Sequence, residues 1–242
     1  MSFFVALAMA SVTSPLITSG DEAFRHRADP VQAAAALDLY RKRVVETDQK
    51  ESESLWRLSM GCYFVGLRSI HDKEEQEKIF AEGRDAGLLS SQLDHHCASC
   101  RFWTAINMAL YGQTVGVFKM LFSLKQIREL LKESMALDPT YAHSGAQRLL
   151  GLIYEKVPGI LGGSNSRAKN YFEEAISASP DEPLNYLFLA RLYHDELHDN
   201  PAALEAIRKG LDTQKITIAT PDRLESVEAL ADLKKMLSDL SN

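Results

Sequence analysis

Cys97 and Cys100 form a C-x-x-C pair directly preceded by His95 and His96. Three kinds of chemistry use such a group: a local disulfide, packing thiols, or a metal or redox site. A structural zinc site needs a further ligand pair at a distance, and no second C-x-x-C follows. Haem attachment needs His after the second Cys, where Arg101 stands instead. Redox C-x-x-C pairs usually sit in a βαβ context, which this chain lacks. A disulfide between Cys97 and Cys100 is the leading reading, with free thiols and a metal or redox role left open. Cys62 stands alone in a helical pattern and reads as a small core residue. His194 and His198 are four apart on a helix, a spacing that could hold a metal. Asp195 and Glu196 between them favour a solvated helix end. Paired carboxylates, a nucleophile elbow, a phosphate loop and H-E-x-x-H are all missing. The expectation is therefore no catalytic set, no metal and no cofactor.

The elements that must position these residues are helices. Ala (27) and Leu (32) far outnumber Val (10) and Ile (11), a balance that favours helix over strand. Gly and Pro are too few for a disordered chain. At 242 residues the chain is long enough for a sizeable core without staples. A formal charge of -6 makes nucleic-acid binding a poor expectation, because that affinity rests on clustered Lys and Arg. The cluster Arg41-Lys42-Arg43 has acidic neighbours and reads as a solvated face.

The first residues are read separately. Phe3 to Ala10 is an unbroken apolar run, too short to span a bilayer. It fits a signal-peptide core ending in Ala8-Met9-Ala10, although no Lys or Arg precedes it. Residues 1–20 are expected to be signal peptide plus disordered tail. Residues 21–242 are then a single helical-repeat domain.

That domain carries the tetratricopeptide pattern W-x2-L-G-x2-Y, A-x3-F, P. Leu150, Gly151, Tyr154, Ala168, Phe172, Ala175 and Pro180 match it. The clearest units are 100–140, 144–182 and 183–214. A degenerate unit covers Leu55 to Gly83, Ala36 to Arg43 reads as a lone helix before it, and a capping helix covers 221–240. Asp29-Pro30, Asn200-Pro201 and Thr220-Pro221 place a cap before proline, and Asp72-x-x-Glu75 and Ser123-x-x-Gln126 read as capping boxes. The prediction is an all-α, tetratricopeptide-like solenoid of about ten helices in antiparallel pairs. Small residues at Gly151, Ala168 and Ala175 allow close helix approach, and large ones such as Phe172 fill the gaps.

Two breaks in the repeat point to function. Val157-Pro158-Gly159-Ile160-Leu161-Gly162-Gly163 lengthens one turn, either as a plain turn or as a fixed loop lining a ligand or partner surface. Val115 to Phe122 inserts a strongly apolar run, for which core packing is favoured over a partner or cavity.

These residues also carry a resemblance. Trp103 to Ala109 with W-x3-N, the Asp138-Pro139-Thr140-Tyr141 turn, and Tyr154-x3-Pro158-Gly159-x2-Gly162-Gly163 resemble the T-component (TatT) family of TRAP transporters, over roughly Ala33 to Leu237. That resemblance implies a periplasmic adaptor for a substrate-binding P-component protein, carrying an apolar ligand in an oligomer, here a homo-oligomer. The resemblance and the two breaks together give the expected ligand- or partner-binding residues: Trp103, Asn107, Tyr111, Phe118, Phe122, Tyr154, Pro158, Gly159, Gly162 and Gly163. Asn107 is expected to bond the glycine-rich loop. The chain is weakly similar to the regulator-of-microtubule-dynamics family too, against which the apparent export signal argues. The competing reading is a general scaffold that binds a peptide or protein in a concave groove.

Overall fold

A computed structural model describes residues 14–214 and 223–241, except for the side chains of residues 117–120. Eleven α-helices and no strands are present among the described residues. They are α1 (Pro15–Arg25), α2 (Pro30–Glu46), α3 (Ser52–Arg68), α4 (Lys73–Leu93), α5 (Ala98–Val115), α6 (Val117–Leu137), α7 (Gly145–Lys156), α8 (Asn165–Ala178), α9 (Pro183–Arg191), α10 (Asn200–Asp212) and α11 (Leu224–Ser241). Consecutive helices pack as pairs, α1 on α2 through α9 on α10, and the pairs stack into a tetratricopeptide-like solenoid. None of these helices is long and apolar enough to cross a membrane.

Local chemistry sets the helix starts. The Asp29 carboxylate accepts from Val31 N (2.9 Å), and Asp72 accepts from Glu74 N and Glu75 N (3.0 and 2.9 Å). Asp199, one residue before the expected Asn200, caps α10 by accepting from Ala202 N (3.0 Å). Thr220-Pro221 lies outside the described residues. Ser123 is no cap at all: it lies inside α6, because the apolar run before it continues that helix.

The stretch expected as a disordered tail is helical from Pro15. Ser14 Oγ accepts from Leu16 N, and Ile17 and Gly20 are buried against the rest of the fold. Consequently α2 is not a lone helix but the partner of α1. The export signal itself falls on residues outside the description. The apolar insertion also resolves differently from a loop. It lengthens α5 and α6, which meet at Gly116.

Three apolar clusters run along the stack: one in α1–α4, one in α5–α7 and one in α7–α11. In the last, Phe172 is fully buried against Gly151, where an added Cβ would lie 2.4 Å from the ring. This close approach of α7 and α8 is what the small residue at 151 permits.

The stack also curves back on itself. Arg27, just after α1, pairs with Glu225 of α11 (2.7 Å), and Arg68 of α3 makes two 2.6 Å bonds to Glu228. Leu224 packs on the α1–α4 cluster. Arg223 pairs with Glu182 (2.8 Å), whose other carboxylate oxygen caps α9 at Leu184 N (3.0 Å). The first and last elements thus close around the inner face of the solenoid.

Candidate binding groove

The inner face carries two adjoining cavities. The first, about 250 Å³, is walled by α5, α6 and α7 through residues such as Ile106, Leu110, Leu131, Leu152 and Ile153. The second, about 320 Å³, is walled by Phe24, Phe64, Trp103, Phe188 and the charged residues near α11. Tyr63, Ile106 and Leu149 line both, so they form one groove. Its apolar walls come mostly from the first helices of the pairs, α1, α3, α5, α7 and α9, joined by Leu124, Ile127 and Leu131 of α6.

The second cavity is charged at one end. Arg27, Arg148, Arg223, Glu182 and Glu225 line it. Arg27 pairs with Glu225, and Arg223 with Glu182. Arg148 forms no ion pair among the described residues. It donates to Asn185 Oδ1 (2.5 Å) and to the carbonyls of His143 (2.9 Å) and Ala142 (3.3 Å). Those carbonyls are turned toward it by a left-handed run at Ala142, His143 and Ser144, with φ of 50°, 52° and 63°. Burial pushes the Arg148 pKa down, with Glu182 opposing. Burial likewise holds the His143 pKa below the usual histidine value, with Glu182 again opposing. The guanidinium stays charged in any ordinary buffer, so the Arg and Glu side chains at this end of the groove carry one net positive charge.

The residues expected to form one site are divided by the fold. Trp103 lies in the groove wall, donating Nε1–H to Tyr141 Oη (2.7 Å) and packing on Tyr63. Asn107 is fully buried behind it and does not reach the glycine-rich loop. Its amide donates to Ser59 O (2.8 Å), Ser59 Oγ (3.0 Å) and Trp103 O (3.0 Å), joining α5 to α3. The reason is geometric: α3 packs directly on α5 at that level. Tyr111 is covered by the Arg84 guanidinium (4.2 Å). Tyr154 is buried and stacked on Tyr171, with Arg128 over its ring (4.8 Å). Phe122 is exposed on the outside of α6, while the Phe118 side chain lies outside the described residues.

Pro158, Gly159, Gly162 and Gly163 make a fixed turn away from Trp103. Leu161 N and Gly163 N both donate to Pro158 O (2.8 and 3.1 Å), and Ser164 N donates to Tyr154 O (2.7 Å). Only glycine fits at 163, because a Cβ there would overlap the Val157 carbonyl. Cys97 and Cys100 are joined sulfur to sulfur at the start of α5, and Cys62 is a buried free thiol. Among the described residues no group of His, Cys, Asp and Glu is arranged to hold a metal. His194 instead bonds Asn200 (2.8 Å).

Sequence reasoning missed Tyr63, Arg148 and the Arg27 and Arg223 pairs. Tyr63 carried a readable signal, an aromatic side chain on the first helix of a pair. Arg148 carried none, because its role depends on what faces it across the groove.

Comparisons with known proteins fit this architecture. The family described as Regulator of microtubule dynamics protein 1-3 matches residues 16–152. Over 99 residues the chain is 27% identical to Regulator of microtubule dynamics protein 1 of Caenorhabditis elegans, covering 41% of this chain and 43% of that protein. The chain thus matches less than half the length of that relative. A thermophilic TPR protein of Thermus thermophilus superposes with a TM-score of 0.59 at 19% identity, covering 88% of this chain and 99% of that one. MamA gives 0.51 at 18% identity, covering 83% and 97%. At those identities the likeness concerns the fold alone.

The expectation of a periplasmic protein is overturned by the family and animal relative, since animal cells have no periplasm. A P-component partner and a place in a TRAP transporter receive no support from these matches. The resemblance ranked second from the sequence is the one they favour.

Proposed function

The chain belongs to the Regulator of microtubule dynamics protein 1-3 family, and from that premise we propose that it is a non-catalytic scaffold whose inner groove holds a segment of a partner protein. Its tetratricopeptide-like fold is one suited to protein–protein interaction. The observation that carries the finer reading is the groove itself: an apolar trough, closed by α11, with the uncompensated Arg148 at one end. Such a trough fits a segment with an apolar anchor and a carboxylate, which would replace some of Arg148's neutral contacts by a charge-assisted bond. The name of the nematode relative makes tubulin, or a protein bound to microtubules, the first partner to try.

The test is sedimentation of the purified chain with microtubules, alone and with a cytosolic extract, for wild type, Ile106→Glu and Arg148→Ala. We expect co-sedimentation that Ile106→Glu abolishes and Arg148→Ala weakens roughly tenfold or more, as for a central interface residue. Circular dichroism and a thermal melt establish that both variants fold. A partner retained equally by the folded groove variants would overturn the reading. So would an apolar small molecule filling the groove, found by mass spectrometry of an organic extract.

A further inference from the structure

Ile160 and Phe122 are the most exposed large apolar side chains among the described residues, at 95% and 88%. They lie on neighbouring elements. Leu161, beside Ile160, and Leu121, beside Phe122, line one shallow depression of about 390 Å³ with Lys125, Arg128 and Lys132. Gly162 confirms the proximity, because a Cβ there would stand 3.6 Å from Arg128 Nη1. The turn that carries Ile160 is hydrogen-bonded at both ends, so the side chain is held outward rather than left on a loose loop.

The surroundings are cationic in a chain of net charge -6. Lys125, Arg128 and Lys132 ring the depression, and Arg167 sits over the same Tyr154 ring as Arg128. The acidic groups that face this ring are Glu129, loosely paired with Lys125 at 3.9 Å, and Glu155, whose carboxylate bonds Lys156. Lys132 and Arg128 make no ion pair among the described residues. Two of the Arg128 guanidinium nitrogens are buried with no hydrogen-bond partner.

We propose that this face, the Pro158–Gly163 turn with the exposed side of α6, docks on an anionic lipid surface, Ile160 and Phe122 entering the headgroup region and the cations meeting lipid phosphates and carboxylates. Protruding apolar tips beside a basic patch suit a bilayer, which needs no complementary pocket. A protein partner would have to provide such a pocket for each tip. The inference does not rest on the groove, although α6 borders both and Leu124 lines the first cavity as well as the depression.

The experiment is flotation of the full chain with phosphatidylcholine vesicles, with and without about one-third phosphatidylserine. Binding is expected to the anionic vesicles, falling steeply as salt shortens the Debye length. The double variant Phe122→Asp/Ile160→Asp should abolish it, and Lys125→Glu/Lys132→Glu should weaken it roughly tenfold or more. These side chains are exposed or half-exposed, so thermal melts should match wild type. The proposal is overturned if wild type ignores anionic vesicles, or if the Asp variant binds as wild type does. It is equally overturned if the Asp variant changes only self-association in sedimentation, which would make the face an interface between copies.

Discussion

Asn107 shows how residue type and residue role separate. A polar side chain at a repeat position that is usually small reads as a functional oddity. In the fold its amide serves as a bolt, donating to Ser59 O and Oγ across the α3–α5 junction and to Trp103 O within α5. Substituting Asn107→Ala should cost about 1–3 kcal/mol, because the Ser59 and Trp103 groups lose a buried donor and a void opens. A urea melt monitored by circular dichroism measures this, and a midpoint unchanged from wild type would contradict it. Cys62 obeys similar logic: burial pushes its pKa up, so it behaves as a packing thiol rather than a nucleophile. Arg148 is the opposite case. Nothing in its type or neighbours marks it, and its character comes from three carbonyl contacts without a carboxylate.

Among the elements, pairing is the rule that explains most. Ala168, Phe172 and Ala175 are all fully buried, at the spacings the repeat demands. Phe172→Ala in α8 should therefore lose about 3–5 kcal/mol, the ordinary cost of emptying an aromatic site in a close-packed core. Denaturant unfolding would show it as a lowered midpoint, and a loss below about 1 kcal/mol would mean the α7–α8 contact is not the packing described. The long stretch between Leu110 and Ile127 shows where pairing cannot be read locally. An apolar insertion can form a loop, a lid or two longer helices, and here it forms the third.

At the scale of the whole molecule the decisive feature is the closure of α11 onto α1 and α3. Glu225 makes part of that contact through Arg27. Burial raises its pKa, but the hydrogen bond and charge of Arg27 outweigh this and hold it below the usual carboxylate value. The sign follows directly: a depressed carboxyl stabilises the closed form above the unfolded pKa near 4.3 and loses that effect as pH falls through the folded value. Acidification through the folded value, which lies below the unfolded one, should open the closure before the helices melt. Small-angle scattering against circular dichroism would register this as an increase in radius at constant helicity. Glu225→Gln should loosen the closure at neutral pH and flatten its acid response. A radius that follows helicity in both proteins would show that Glu225 does not govern closure.

The helical class, the pairing and the small-against-large packing code were set by the sequence alone, because helix propensity and repeat spacing act over a few residues and leave a local record. Asp29 and Asp72 were legible as caps for the same reason. Tertiary structure decided everything that depends on residues distant in the chain. Trp103 was legible as a groove candidate, but its partners Tyr63 and Leu149 come from other helices. Asn107 went to Ser59, and the glycine-rich turn went to an outer face with Phe122. The Arg27–Glu225 contact joins residues 198 apart, so nothing near either one foretells it. The curvature that brings them together is a sum of small rotations over every helix pair, a quantity that no single segment of sequence carries.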